Sequence, residues 1–193
     1  MDMPAERRTE LLDRIVEALL VSGAGDLSLR PLAEQVGSSA RLLIYHFESK
    51  EQLIAAALAQ VRGQVAASLS ARSAYAQPQS LRDLLMMFWN WATEAENLRY
   101  FRLLFEVDGL AMYNRVSFSE AAKKANSAIW TGLIEGGADK LRDGRGAAHS
   151  TLMVAALSGL LQELLATGDR EKTTAALTAL LDLIDAGAPG ARS

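Results

Sequence analysis

The sequence is poor in residues on which many active sites depend: among 193 residues it has no cysteine and only two histidines. The absence of cysteine excludes a disulfide framework, a thiolate zinc site and a thiol nucleophile. No His, Asp or Glu cluster has metal-ligand spacing on a predicted helix, and His149 is expected to be structural or exposed. Ser-x-x-Lys, Gly-x-Ser-x-Gly and glycine-rich phosphate loops are also missing. We therefore expect no enzymatic activity, no catalytic residue, no metal and no cofactor.

Long apolar runs are missing too, although half of the residues are hydrophobic. The longest, Leu152 to Leu161, is interrupted by Ser158 and is far shorter than the roughly 20 residues that cross a bilayer. The first eight residues are not followed by the uninterrupted apolar segment of a signal peptide. We expect a cytoplasmic protein with no membrane partner.

Positive charge is scarce, since the net charge is −3 and residues 1–51 contain six Lys or Arg against nine Asp or Glu. This balance argues against strong non-specific DNA binding, because attraction to phosphates supplies most of such binding. Local placement can outweigh the count. Arg30, Arg41 and Lys50 all belong to the motif described next.

Two short amphipathic helices joined by a tight turn are predicted after Ser28, whose hydroxyl is expected to cap the first of them. Gly37 ends that helix, because glycine accepts the left-handed conformation that redirects the chain. Ser49 and Gln52 have the spacing of a capping box, which predicts a third helix directly behind the second. The apolar positions follow helical spacing in both short helices: Leu29, Leu32, Ala33 and Val36, then Ala40, Leu43, Ile44 and Phe47.

Over roughly residues 7–60 the chain resembles the DNA-binding headpiece of TetR-family transcriptional repressors. The family pattern runs Thr-x-x-x-Ile-Ala-x-x-x-Gly-Val-Ser-x-x-Thr-Leu-Tyr-x-His/Tyr-Phe-x-x-Lys. The matching residues here are Ser28, Leu32-Ala33, Gly37-Ser38-Ser39, Leu42-Leu43-Ile44-Tyr45-His46-Phe47 and Ser49-Lys50-Glu51. Ser38 replaces a valine, Leu42 a threonine and Ile44 the first tyrosine of the aromatic pair. The last two put apolar groups where relatives often present hydroxyls to DNA.

The resemblance implies that the second helix of the motif enters the major groove of double-stranded DNA. Arg41 is then expected to bond guanine O6 and N7, and apolar groups on this helix to touch thymine methyls. The alternative is that these are ordinary solvated side chains, with His46 packed in the headpiece. The predicted DNA-binding residues are Ser28, Arg30, Ser39, Ala40, Arg41, Leu42, Ile44, Tyr45, His46 and Lys50.

The rest of the chain is also predicted to be helical, without a run of alternating residues typical of a strand. The fold class is all-α: a three-helix helix-turn-helix headpiece in residues 1–52, and a helical-bundle domain for ligand binding and dimerisation in residues 53–193. The predicted helices are Glu6–Ser22, the two of the motif, Lys50 to about Ser73, one from Leu81, Asn97–Phe105, Phe118–Glu135, Ala148–Thr167 and Arg170–Ala186.

The last two predicted helices have apolar residues on more than one side, so each must meet both its own core and something else. A four-helix interface between two copies would form an isologous homodimer, and the resemblance implies this use of the final two helices. The alternative is that both are central helices of a monomer. The predicted interface residues are Leu157, Leu161, Leu164, Leu177, Leu180 and Ile184.

Aromatic residues cluster in the second domain, and Trp89, Phe105 and Trp130 are the candidates for lining a ligand cavity. Aromatic side chains at helical spacing are also common in simple cores. The prediction is a TetR-like homodimeric repressor that a small apolar or amphipathic effector releases from a palindromic operator. A helical adaptor that acts through protein partners and keeps a vestigial headpiece is the main alternative, and a catalytic or ligand-binding bundle is a third.

Overall fold

A computed structural model describes residues 3–25, 28–113 and 146–186, and within these ranges every regular element is an α-helix. The predicted all-α class is confirmed. The predicted helix Phe118–Glu135 lies outside the described residues, as does Trp130. The described helices are α1 Met3–Ser22, α2 Leu29–Gln35, α3 Ala40–Phe47, α4 Lys50–Ala76, α5 Leu81–Ala92, α6 Ala95–Met112, α7 Gly146–Thr167 and α8 Arg170–Ala186.

These residues divide into two compact units, which we call the first unit (3–71 and 95–113) and the second unit (72–94 and 146–186). The boundary that the sequence predicts at residue 52 lies inside α4, a single helix of 27 residues. The predicted boundary separates a DNA-binding domain from a ligand-binding and dimerisation domain, whereas the two units are compact bodies within the chain. The predicted domain division stays a prediction.

The core of the first unit is built from the apolar stripes of α1, α2, α3, α4 and α6, with α1 packed on both α2 and α6. The apolar residues of α1 that helical spacing puts on one face are buried: Leu12, Ile15, Val16, Leu19 and Leu20. The corresponding residues of α4 are buried too: Ile54, Ala57, Leu58, Val61, Val65 and Leu69. α1 begins three residues before its predicted start, and α4 continues three residues past its predicted end.

α6 ties the end of α1 into the first unit through a carboxylate. Glu106 accepts hydrogen bonds from the backbone N–H groups of Ala24 and Gly25, at 2.8 and 2.7 Å. Gly23 ends α1 with φ of 78°, and a Cβ there would lie 2.6 Å from Glu106 Oε2. Arg99 Nη1 adds a 3.0 Å salt bridge to Glu17. The chain segment that leads into α2 is therefore held by α6.

The predicted bounds of α6 are wrong at both ends. The helix begins at Ala95, so Asn97 is not its cap but a buried residue of its first turn. It also continues through Gly109 to Met112 rather than ending at Phe105, because an interior glycine lowers helix stability by only about 1 kcal/mol and other residues can outweigh that.

The second unit packs α7 against α8 and holds α5 by polar contacts. Trp89, which is fully buried, donates from Nε1 to Thr174 Oγ1 at 2.9 Å. Arg82 pairs with both Asp182 and Asp185, and these carboxylates raise the pKa of its guanidinium. Both predicted bounds of α8 are confirmed, whereas α7 begins two residues before its predicted start.

The structure corrects the predicted interface face of α7 and α8. Leu157, Leu161, Leu164 and Leu177 are buried within the protomer, so they have almost no surface left to cover with a second copy. Leu180 and Ile184 are half-buried. Both helices are apolar around much of their circumference, and the outward side consists of other residues: Leu152, Ala155 and Gly159 on α7, with Ala176, Ala179 and Leu183 on α8.

By length and composition alone, two helical segments of the described residues could cross a bilayer, Lys50–Ala76 and His149–Thr167. Small and weakly polar residues extend the apolar run from Leu152 to Leu161 into the second of these segments. The core helix of a soluble protein has the same length and composition. One face of α4 is buried, as in a core helix, and a smaller share of α7 is buried.

Candidate nucleic-acid interface

The turn between α2 and α3 is a Schellman motif built on Gly37. Gly37 has φ of 64°, as predicted for the residue that ends α2. Its N–H donates to Glu34 O at 3.2 Å, and the N–H of Ser38 donates to Ala33 O at 2.7 Å. Arg14 of α1 adds a 3.1 Å bond from Nη1 to Val36 O. These bonds satisfy carbonyl groups at the end of α2 and fix where α3 begins.

Ser38 follows this turn with its hydroxyl buried, and Oγ has no hydrogen-bond partner among the described residues. The family pattern has valine at this position. A buried hydroxyl without a partner costs free energy that an apolar side chain of similar shape does not. The packing around Ser38 therefore suits the family residue better than the one present.

The two N-caps of the motif differ. Ser39 caps α3, since its backbone is extended and its Oγ accepts from Leu42 N at 3.2 Å. Ser28 occupies the N-cap position of α2, but its side chain makes no capping hydrogen bond, so the predicted hydroxyl cap is wrong. Its backbone carbonyl accepts from Leu32 N instead.

α3 buries one narrow ridge and exposes the rest of its surface. Leu43 and Phe47 are buried, as their spacing predicts, but Ile44 is 39% exposed. Its predicted place in the apolar face is wrong, because an eight-residue helix packed on α2 covers a narrow stripe. Leu42 and Tyr45 are 42% and 75% exposed.

All ten predicted DNA-binding side chains keep accessible surface. Those of Ala40, His46 and Lys50 are half-buried, and the other seven are exposed. The alternative of a packed His46 applies in part: its ring lies edge-on to Tyr45, with centroids 5.1 Å apart. The structure thus places the ten predicted residues along α3 and its cap, at the start of α2 and at the start of α4.

Two arginines of α1 support the motif, and the sequence analysis missed both. Arg8 donates from Nε to His46 O at 3.3 Å, and its guanidinium carbon lies 4.9 Å from the centroid of the Phe47 ring. Arg14 bonds Val36 O as described above. Positive charge at a helix C-terminus is favourable, because it opposes the negative end of the helix dipole. No local pattern marks these pairs, since the partners are backbone carbonyls 38 and 22 residues away.

The junction of α3 and α4 is a classic γ-turn centred on Glu48, with φ of 65° and ψ of −47°. Ser49 N donates to Phe47 O at 2.7 Å across it. The predicted capping box is half confirmed: Ser49 Oγ accepts from Gln52 N at 3.1 Å, but the Gln52 side chain donates to Glu48 instead of returning to Ser49. Lys50 is the first residue of α4.

Two acidic residues of α1 are engaged with other helices. Asp13 accepts a hydrogen bond from Gln60 of α4, and Glu17 pairs with Arg99 of α6. These contacts direct two of the carboxylates toward α4 and α6. The charge count of the N-terminal segment therefore overstates the negative charge at the exposed face of α3.

A cavity of about 340 Å³ lies beside α3 in the first unit. Neither predicted ligand-lining residue in the described ranges borders it. Trp89 is packed in the second unit, and Phe105 is half-buried in the first unit beside Phe101. The prediction of an aromatic ligand cavity stays a prediction. The lining residues of the observed cavity are Arg8, His46, Phe47, Glu48, Gln52, Ala55 and Ala56.

Residues 11–57 match the family model for bacterial regulatory proteins of the tetR family. A solved protein of Rhodococcus sp. assigned to TetR-family transcriptional regulators is 24% identical, with a TM-score of 0.70 over 96% of this chain and 100% of that one. The multidrug binding protein EbrR is 23% identical, with a TM-score of 0.65 over 91% and 89%.

NalD of Pseudomonas aeruginosa, the secondary repressor of the MexAB-OprM multidrug efflux pump, is 20% identical, with a TM-score of 0.59 over the whole of both chains. No curated protein matches. At these identities the likeness to solved structures establishes the fold, and the family model shows that residues 11–57 are similar to the corresponding region of tetR-family regulatory proteins.

Proposed function

We propose that the chain is a TetR-family transcriptional regulator, and that it acts as a homodimeric repressor released from a palindromic operator by a small apolar or amphipathic effector. The match of residues 11–57 to the family model and the shared fold support this proposal. The observation that carries the DNA-binding part is the exposed surface of α3. Its predicted contact residues are accessible, and the Gly37 turn and the Ser39 cap define its first residue.

The polar flanks of α3 suit a DNA backbone. Arg30 near the start of α2 and Lys50 at the start of α4 are the cations expected to contact phosphates. Two such contacts in each headpiece give four in a dimer, which corresponds to a slope of about −3.6 for log K against log salt. We therefore expect weaker salt dependence than for a strongly basic DNA-binding protein.

Dimerisation is proposed through the outward sides of α7 and α8. Leu152, Ala155 and Gly159 follow three-four spacing on α7, and Ala176, Ala179 and Leu183 do so on α8. Small residues allow two helices to approach closely, and the two exposed leucines supply apolar area at the edges of the patch. An isologous pairing would present two α3 helices to successive major grooves, about 34–36 Å apart.

The effector part of the proposal is supported by the names of two similar proteins, a multidrug binding protein and a repressor of a multidrug efflux pump. Trp89, Phe105 and Trp130 stay our candidates for contacting such a ligand. Release requires that the ligand bind more tightly to the conformation that does not fit the operator.

The test is selection of random duplex DNA by the purified protein, followed by sequencing of the bound fragments. We expect enrichment of a palindrome whose half-sites lie about one helical turn, or a multiple of it, apart. No enrichment at low salt would contradict operator binding, and a monomer by sedimentation equilibrium would contradict the dimer. If affinity for the selected operator does not change across a broad panel of apolar and amphipathic compounds, induction is ruled out.

A further inference from the structure

The exposed surface of α3 is unusually apolar for one short helix. Nine large hydrophobic side chains are exposed among the described residues, and three of them, Leu42, Ile44 and Tyr45, lie on this helix of eight residues. Exposed single apolar residues are common on protein surfaces, but three within four positions leave little polar surface on so short a helix. The spacing places Ile44 and Tyr45 three and four residues after Arg41, so all three side chains lie on adjoining parts of the helix surface.

Hydrogen-bonding capacity on this surface is correspondingly small. Arg41 is the one Lys, Arg, Asp or Glu of α3, and the other polar side chains of the helix are those of Tyr45 and His46. Its guanidinium can make one bidentate contact, which is enough for a single guanine. Leu42 and Ile44 have no donor or acceptor in their side chains and therefore cannot read any other base by hydrogen bonds.

The major-groove edges of the four base pairs carry one apolar group, the C5 methyl of thymine. An apolar side chain on a helix in the major groove gains free energy by covering that methyl and gains none over the polar edges of the other bases. The flanking cations Arg30 and Lys50 favour a polyanion over an apolar protein surface as the occupant.

We propose that α3 reads a half-site in which one guanine is flanked by thymines, and that Leu42 and Ile44 recognise the thymine C5 methyl groups. This inference rests on the proposed function and specifies its DNA target. Arg41 contacts the guanine by hydrogen bonds, and Leu42 and Ile44, one and three residues after it, select the neighbouring base pairs.

The experiment replaces thymine by deoxyuridine in the selected operator, one position at a time and in both half-sites together. This change removes the methyl group and leaves base pairing intact. Because burial of one methylene-sized group contributes about 0.8 kcal/mol, we expect affinity to fall about three- to fourfold per methyl and about tenfold or more for the symmetric pair. Thymines outside the half-sites, replaced in the same way, serve as the DNA control and should have no effect.

The protein side of the experiment uses Leu42→Ala and Ile44→Ala, whose exposed side chains are not required by the core. Each variant should bind the normal operator more weakly and lose sensitivity to deoxyuridine at the position it contacts. Val21→Ala is the matched control, because Val21 is an aliphatic residue 79% exposed on α1; it should keep the full deoxyuridine effect.

The outcomes separate the inference from the function on which it rests. If an operator is selected but thymine and deoxyuridine versions bind equally, methyl recognition is overturned while the DNA-binding function stands. The same holds if both α3 variants retain the deoxyuridine effect unchanged. If no DNA is selected at low salt, the proposed function itself fails.

Discussion

The exposed face of α3 and the exposed face of the α7–α8 pair are both apolar, but they differ in side-chain size and in charge. α3 presents Leu42, Ile44 and Tyr45 around a single arginine. The α7–α8 face is formed largely by alanine and glycine. The difference indicates what each face can meet: small residues let another helix approach, whereas long side chains beside a cation reach into a groove lined by phosphates.

Gly159→Arg should break the α7–α8 face and have the largest effect. No atom lies within 4 Å of a Cβ built at Gly159, so the protomer accepts the substitution, but a second copy would meet a long charged side chain. We expect a monomer by sedimentation equilibrium and at least about 100-fold weaker operator binding, because two linked half-site contacts are lost as a unit. Gly63→Arg is the matched control, an exposed helical glycine on α4 with equally open space. A dimeric Gly159→Arg protein would contradict the assignment of this face.

Arg41→Ala should break the α3 face and leave the dimer intact. Loss of a bidentate guanine contact costs about 1–3 kcal/mol, and discrimination should disappear at one base pair in each half-site. Operator variants measured by fluorescence anisotropy provide the test. Lys50→Ala is the comparison, since loss of a phosphate contact weakens binding to every sequence and makes the salt slope shallower. If Arg41→Ala weakens binding to all sequences alike, Arg41 contacts the backbone and not a base.

Gly37→Ala tests the support behind α3 without touching its surface. The φ of 64° costs an alanine about 1–2 kcal/mol, and the nearest atom to the new Cβ, Arg14 Nη1, is 3.8 Å away, so the cost is conformational. We expect urea denaturation to show that loss, operator affinity to fall, and the dimer to persist. An unchanged free energy of unfolding would mean that the turn differs from the one described.

Ser38→Val should have the smallest effect and the opposite sign. It removes a buried hydroxyl without a partner and restores the residue of the family pattern. We expect the free energy of unfolding to rise by about 1 kcal/mol, with the selected operator unchanged. Ser39→Val is the contrasting variant, because it removes the α3 cap and should destabilise by about 1 kcal/mol. Equal effects of the two variants would contradict the different roles assigned to the neighbouring serines.

Local chemistry made much of the fold predictable. The start of α8 follows from the sequence, since Gly168 ends the preceding helix at positive φ and Asp169 Oδ1 accepts a capping hydrogen bond from Lys172 N. Gly37 and the stripe of α4 are similar cases. These elements depend on neighbours within a few residues, which a sequence pattern records.

The wrong predictions have a different cause. In each case the local sequence fits two alternatives equally well, and packing against other helices decides between them. Ser28 and Ser39 are both suitable caps, but only Ser39 makes the hydrogen bond. Periodicity puts Leu43 and Ile44 on one face, yet only Leu43 is buried. On α7, Leu157, Leu161 and Leu164 pack inside the protomer and do not face outward. Arg8 and Arg14 could not be found at all, because backbone carbonyls carry no sequence signature.

The two hydrogen bonds accepted by Glu106 have a practical consequence for the isolation of the N-terminal helices as a separate fragment. A fragment cut after α3, or anywhere before α6, deprives the amides of Ala24 and Gly25 of their acceptor and leaves Glu17 without Arg99. Chimaeras that exchange operator specificity with a relative should therefore transplant α6 along with the N-terminal helices.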